Sequence, residues 1–257
     1  DPEFFQGVLE NSFLQDLARD LNCESARLAR AWADRIAEET GVKRYVAGAI
    51  GPLTVSLTNG PDPDDPAFRV VTFDQVARAY REQAKALVDG GCDILMVETI
   101  FDSLNAKAAL VAIQEVFEEE DSQLPIVISA AVGRGGETMI SAQKIEALWI
   151  AFRHANPLAI GLNCSLGPDL MRPFLAQLSQ VAETCVSCYP NAGLPNPLAP
   201  TGFDLEPHHM AEYMSEFAGA GLLNLAGGCC GNTPAHLAAI AAAVKPHAPR
   251  AAPRLAA

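Results

Sequence analysis

Short, almost uninterrupted apolar runs alternate along the chain with longer stretches in which apolar residues recur at helical spacing. The runs cover residues 45–50, 94–97, 126–132, 158–162, 185–188 and 222–225. Each is brief and partly β-branched, the pattern of strands buried on both faces of a parallel sheet. Helical patterns fill the gaps at 13–39, 72–88, 103–118, 143–154, 170–182, 208–218 and 234–244. Thr72 with Gln75 forms a capping-box start, Gly90-Gly91 a stop, and Thr233-Pro234 an N-cap followed by proline in the first turn. Ser141 is read as the opening of the fourth helix.

Six strands, each followed by a helix, predict an α/β chain of βαβ units. The expected architecture is a (β/α)8 TIM-type barrel lacking its first two strands in this chain, with a doubly wound open sheet as the alternative. Residues 1–13 read as an N-terminal segment, its Asp1-Pro2-Glu3-Phe4 a cloning remnant or the whole a reduced first unit. Residues 14–245 form the barrel and 246–257 a Pro/Ala-rich linker. The long connection 51–71, with Asn59-Gly60 and the prolines Pro61, Pro63 and Pro66, follows a strand end, where barrels place functional loops.

Composition narrows the partners. Of 257 residues 49% are hydrophobic and 19% charged, enough apolar material for a sizeable core. The net charge of −13 leaves no basic excess to neutralise phosphates, so neither nucleic acid nor an anionic membrane is expected. No apolar run approaches the ~20 residues of a spanning helix, and no signal peptide opens the sequence; the chain reads as cytoplasmic. Seven cysteines, two of them adjacent, then read as thiols or metal ligands before disulfides.

Three strands end in chemistry. The fourth runs into Asn163-Cys164, the fifth into Tyr189-Pro190-Asn191, and the sixth into Gly227-Gly228-Cys229-Cys230-Gly231. Parallel strands end on the same side, so Cys164, Asn191, Cys229 and Cys230 should converge on one rim. Three thiolates there suit Zn²⁺ with a fourth position open, the arrangement of a catalytic site. Glu98, closing the second strand, points a carboxylate into the same rim. Cys185 and Cys188 read as core, since their spacing places them on opposite faces of a strand; His208 and His209, consecutive on a helix, read as solvated surface. Asp102 reads as a helix-start residue favoured by the dipole.

The motifs Gly161-Leu162-Asn163-Cys164-Ser165-Leu166-Gly167, Cys188-Tyr189-Pro190-Asn191-Ala192-Gly193-Leu194-Pro195-Asn196 and Gly227-Gly228-Cys229-Cys230-Gly231-Asn232-Thr233-Pro234 resemble the homocysteine-binding (S-methyltransferase) domain of cobalamin-dependent methionine synthase. The stretches starting at Val97-Glu98-Thr99-Ile100-Phe101-Asp102 and Ala47-Gly48-Ala49-Ile50-Gly51-Pro52 resemble it too, and the likeness runs over about 14–250. It implies zinc-dependent transfer of a methyl group to the thiol of homocysteine, forming methionine. The implied donor is methylcobalamin, recharged from methyltetrahydrofolate by cobalamin- and folate-binding modules in cis or trans. Glu98 would then take the substrate ammonium, and Asn191 would be a fourth metal ligand when substrate is absent. The alternatives are a related zinc thiol methyltransferase using betaine or S-methylmethionine, and a zinc-binding fragment without catalysis. The segment 129–141 departs from the family's usual loop, and the family's early Asp-Gly motif has no counterpart.

Overall fold

The computed structural model describes residues 12–199 and 202–253; most of the expected N-terminal segment, and the last four residues of the expected linker, lie outside them. Its elements run α1 (Ser12–Thr40), β1 (Ala47–Ile50), α2 (Phe73–Asp89), β2 (Ile94–Ile100), α3 (Ser103–Glu120), β3 (Ile126–Ala130), α4 (Ile145–Phe152), β4 (Ala159–Asn163), α5 (Pro168–Val181), β5 (Cys185–Tyr189), α6 (Pro207–Gly219), β6 (Leu225–Ala226) and α7 (Pro234–Val244). This is an α/β fold, and the six strands among the described residues correspond to the six expected from the sequence.

The chain divides into two compact units. The first joins Asp1–Val97 to Asp102–Ile126. There β1 pairs in parallel with β2, Ala47 opposite Ile94 and Ile50 opposite Val97. Ile50 and Leu95 are wholly buried, and Gly48 lets the flank of Leu87 approach to 3.1 Å of where a Cβ would stand. The carboxylate of Asp93 accepts from Val46 N–H at 2.7 Å and from the Arg30 guanidinium at 2.5 Å, tying α1 to the start of both strands. Thr72 and Gln75 make the expected capping box on α2.

Within the same unit Asp102 caps α3. It is buried at 4% exposure and accepts from Ser56 Oγ at 2.7 Å, Thr58 Oγ1 at 2.6 Å, Thr58 N–H at 3.0 Å and Leu104 N–H at 2.9 Å. Burial would lift its pKa, but the bonds from Thr58, Ser56 and the two N–H groups prevail and hold it below 3.8. Asn105 adds bonds to Leu57 N–H and Val55 C=O. The start of the 51–71 connection is thus clamped onto the N-terminus of α3. The sequence reading gave Asp102 only its dipole; its larger task is to hold this loop.

The second unit joins Glu98–Phe101 to Val127–Ala257, and in it the strands lie in the order β3-β4-β5-β6, all parallel. Ser129, Gly161, Ser187 and Leu225 stand at one level of the register. Gly161 is required there: a Cβ would lie 1.9 Å from Ser187 Oγ and 2.3 Å from its carbonyl oxygen. Two elements begin later than the sequence predicts. Ser141 does not cap α4; its hydroxyl bonds Thr138 Oγ1 at 2.8 Å, and the helix starts after Lys144. β6 begins only at Leu225; just before it Asn224 bonds Val186 twice, its N–H donating to the carbonyl at 2.7 Å and its side-chain oxygen accepting from the N–H at 2.9 Å. Arg250 is buried, its guanidinium donating to the carbonyls of Ser179, Ala182 and Thr184 at the end of α5 and the turn after it.

Candidate metal centre

The three expected thiols meet within the second unit. Cys164 leaves the end of β4 with φ 58°, and Ser165 follows with φ 56°. Two successive non-glycine residues in the left-handed region cost about 1–3 kcal/mol each. The turn is held by Ser165 Oγ, which donates to Val132 C=O at 2.8 Å, and by Leu166 N–H to Cys164 C=O at 2.6 Å. Across from it, the loop after β6 is laced to the loop after β5. Cys229 N–H donates to Pro190 C=O at 2.9 Å, Ala192 N–H to Cys230 C=O at 2.9 Å, and Asn232 Nδ2 to Pro190 C=O at 3.0 Å. Gly231 ends that loop with φ 77° and would drive a Cβ to 2.5 Å from the Phe203 ring.

The Sγ of Cys164 lies 3.7 Å from that of Cys230, which lies 3.9 Å from that of Cys229, and all three fall within 4.8 Å of one another. Sulfurs bound at ~2.3 Å around a tetrahedral zinc stand about 3.8 Å apart, so spacing and donor type both fit that ion. The Cys164 thiol is pushed down to about 5, chiefly because Cys229 donates to it. Cys229 rises in consequence, and Cys230 rises through burial and the neighbouring Cys164 charge. Unaided, the cluster accommodates one anion; three thiolates require a cation among them.

Glu98 and Asn191 belong to the same unit as the thiols. Glu98 is half-buried, and burial raises its carboxyl, with the Cys164 charge adding to the rise while a hydrogen bond from the Tyr189 hydroxyl opposes it. Asn191 is 4% exposed; its Oδ1 accepts from Cys230 N–H at 3.2 Å, and its side chain hydrogen-bonds the Cys164 sulfur. Cys188 is fully buried with its thiol 3.6 Å from Met171 Sδ, outside the cluster. His208 and His209 are both exposed, their ring centroids 3.8 Å apart and the rings tilted by 40°.

Two residues beyond the sequence reading complete the site. Asn163 is wholly buried and uses its amide fully: Oδ1 accepts from Thr99 N–H at 3.0 Å and Ser129 Oγ at 2.7 Å, while Nδ2 donates to Thr99 Oγ1 at 2.8 Å and Cys229 Sγ at 3.8 Å. Tyr189 is the partner of Glu98. The signal for both was a polar side chain closing an apolar run, which marks a rim position without naming its partner.

Residues 5–244 match the family model described as homocysteine S-methyltransferase. The chain belongs to that family. Membership makes it a methyltransferase with homocysteine as acceptor, and all five candidate residues fall within the matched span. The fold is similar to that of the homocysteine methyltransferase MmuM from Escherichia coli. The apo form of that protein is 21% identical with a TM-score of 0.66, over 89% of this chain and 74% of the other. Its metallated form is 22% identical with a TM-score of 0.66, and its oxidized form 22% identical with 0.67, each over 87% of this chain and 70% of the other. Among the described residues no helix is long and apolar enough to cross a membrane.

Proposed function

We propose that this family member methylates homocysteine at a zinc ion held by Cys164, Cys229 and Cys230, forming methionine. The observation that carries the reading is the sulfur triangle, whose 3.7 and 3.9 Å edges suit zinc. Bound there, zinc supplies a Lewis acid that keeps a fourth sulfur ligand ionised at neutral pH, where a free thiol of pKa ~8.5 is only a few per cent thiolate. The metallated form described for MmuM is in keeping with this.

The protein's own residues then orient the substrate. Glu98 takes the ammonium of homocysteine through a charge-assisted hydrogen bond, and its partner Tyr189 restrains the carboxylate's swing. Asn191 steadies the loop of Cys230 and, bonded also to the Cys164 sulfur, is the fourth ligand in this reading before substrate arrives. The donor in this reading is methylcobalamin, brought by a cobalamin-binding module and recharged by a folate-binding one, as the motifs resembling methionine synthase imply.

The test is reconstitution with one zinc per chain, followed by homocysteine with methylcobalamin, S-methylmethionine or betaine in separate reactions. Methionine formed from methylcobalamin supports the full reading. Methionine from a small donor alone keeps the acceptor and replaces the donor. No zinc uptake by the wild-type chain overturns the metal site itself.

A further inference from the structure

The zinc reading leaves unexplained why a fully buried asparagine should stand behind the cluster, touching both the strand end that carries Glu98 and the sulfur of Cys229. Thr99, next to Glu98, has φ 57°. For a β-branched residue this is a strained conformation that persists only where neighbours enforce it. Asn163 is the enforcing neighbour: it accepts from Thr99 N–H at 3.0 Å and donates to Thr99 Oγ1 at 2.8 Å, gripping backbone and side chain of the one residue. Its second N–H points at Cys229 Sγ, 3.8 Å away; its oxygen also accepts from Ser129 Oγ at 2.7 Å, and Thr99 N–H, which can only donate, fixes which edge of the amide faces which partner. The carbonyl edge cannot be turned to the sulfur without setting the NH₂ against Thr99 N–H.

We propose that Asn163 is a positioning residue that sets the distance between the ammonium-binding carboxylate of Glu98 and the metal-binding sulfur of Cys229. This rests on the zinc reading above. One rigid planar amide joins Thr99, the residue after Glu98, to the sulfur of Cys229, so a change there disturbs both ends of the substrate site together. The N–H donated to Cys229 withdraws electron density from that sulfur and offsets part of the repulsion among three thiolates. The grip on Thr99 keeps the strand end in its left-handed turn, which aims Glu98.

Cobalt(II) in place of zinc gives a readout independent of turnover, because thiolate-to-cobalt charge-transfer bands report the sulfur's electron density. Asn163→Asp keeps the size of the side chain and removes both donors. Its cobalt form should show the charge-transfer band moved to longer wavelength, metal retention weakened at least tenfold, and homocysteine affinity, read by titrating the band, reduced tenfold or more. Thr99→Val, which leaves Asn163 in place, should lower homocysteine affinity about fivefold with the band of the homocysteine-free protein little moved, and Thr99→Ser, keeping the hydroxyl, should restore it. A folded Asn163→Asp protein with the wild-type band and wild-type homocysteine affinity overturns the role of Asn163 and leaves the zinc reading standing. Should Asn163→Asp fail to fold, Thr99→Val decides, and wild-type homocysteine affinity in that variant overturns the proposal. A wild-type chain that binds no cobalt overturns both readings, because no metal-bound sulfur is then left to position.

Discussion

The sulfurs of Cys164 and Cys230 stand 3.7 Å apart although 66 residues separate them in the chain. Nothing covalent joins them. They meet because β4 and β6 end on the same side of parallel strands, and because a left-handed turn at Cys164 sends its side chain across to the glycine-flanked pair. A site assembled in this way depends on each of its three members.

Replacing Cys164, Cys229 or Cys230 by serine should therefore lower zinc content from about one per chain to a small fraction, measured by elemental analysis after gel filtration. Cys188→Ala should leave zinc content unchanged and cost about 1–2 kcal/mol of stability, since that thiol packs on Met171 in the core. Metal loss in Cys188→Ala, or full retention in the three serine variants, would be the contrary result.

Homocysteine affinity should respond to Glu98 without a change in metal content. Losing a charge-assisted bond to the ammonium removes roughly 1.5–3 kcal/mol, a 10- to 150-fold weakening, in Glu98→Gln. Calorimetric titration of the zinc-loaded proteins checks this, and equal dissociation constants would move the ammonium to another partner.

Asp102 gives a pH-dependent stability prediction. Its carboxyl is held below 3.8 in the folded chain, so its contribution is fully present above the ordinary aspartate range and is lost as pH falls through the folded value. Asp102→Asn should be less stable than the parent by about 1–3 kcal/mol at pH 7. Urea unfolding at pH 7 and near pH 3 should show the gap narrowing in acid. A gap that stays constant would mean the side chain acts by shape and not by charge.

Gly161→Ala should destabilise by about 1–3 kcal/mol through overpacking. Ser187→Gly in the same chain should recover only part of the loss. It removes the hydroxyl at 1.9 Å but leaves the carbonyl oxygen at 2.3 Å from the new methyl. Full recovery in the double variant would show that the hydroxyl alone set the limit.

Arg250→Met should cost about 2–3 kcal/mol, because the carbonyls of Ser179, Ala182 and Thr184 lose their donor inside the protein. Arg250→Lys should rescue little, since one ammonium cannot span three carbonyls that a planar fork reaches together. Thermal unfolding of the three proteins distinguishes this from a tail that contributes no stability.

The local pattern of residues carries the alternation of strand and helix, because burial on both faces writes continuous apolar runs and amphipathic packing writes a 3.6-residue period. It also determined which cysteines belong together: glycines around Cys229-Cys230 are poor core material, and parallel strands oblige their ends to converge. The partners of polar groups, by contrast, were settled by packing. Asn163 could have met any neighbour at the rim, and its grip on Thr99 and Cys229 depends on residues 64 and 66 positions away. Arg250 lies in a stretch whose composition reads as a linker, yet its guanidinium is satisfied by carbonyls 66 to 71 residues earlier. Hydrophobic periodicity is a local property, fixed by which side of an element faces water. A hydrogen bond between distant residues is fixed only when packing has brought donor and acceptor within about 3 Å at a workable angle, and no local pattern records that distance.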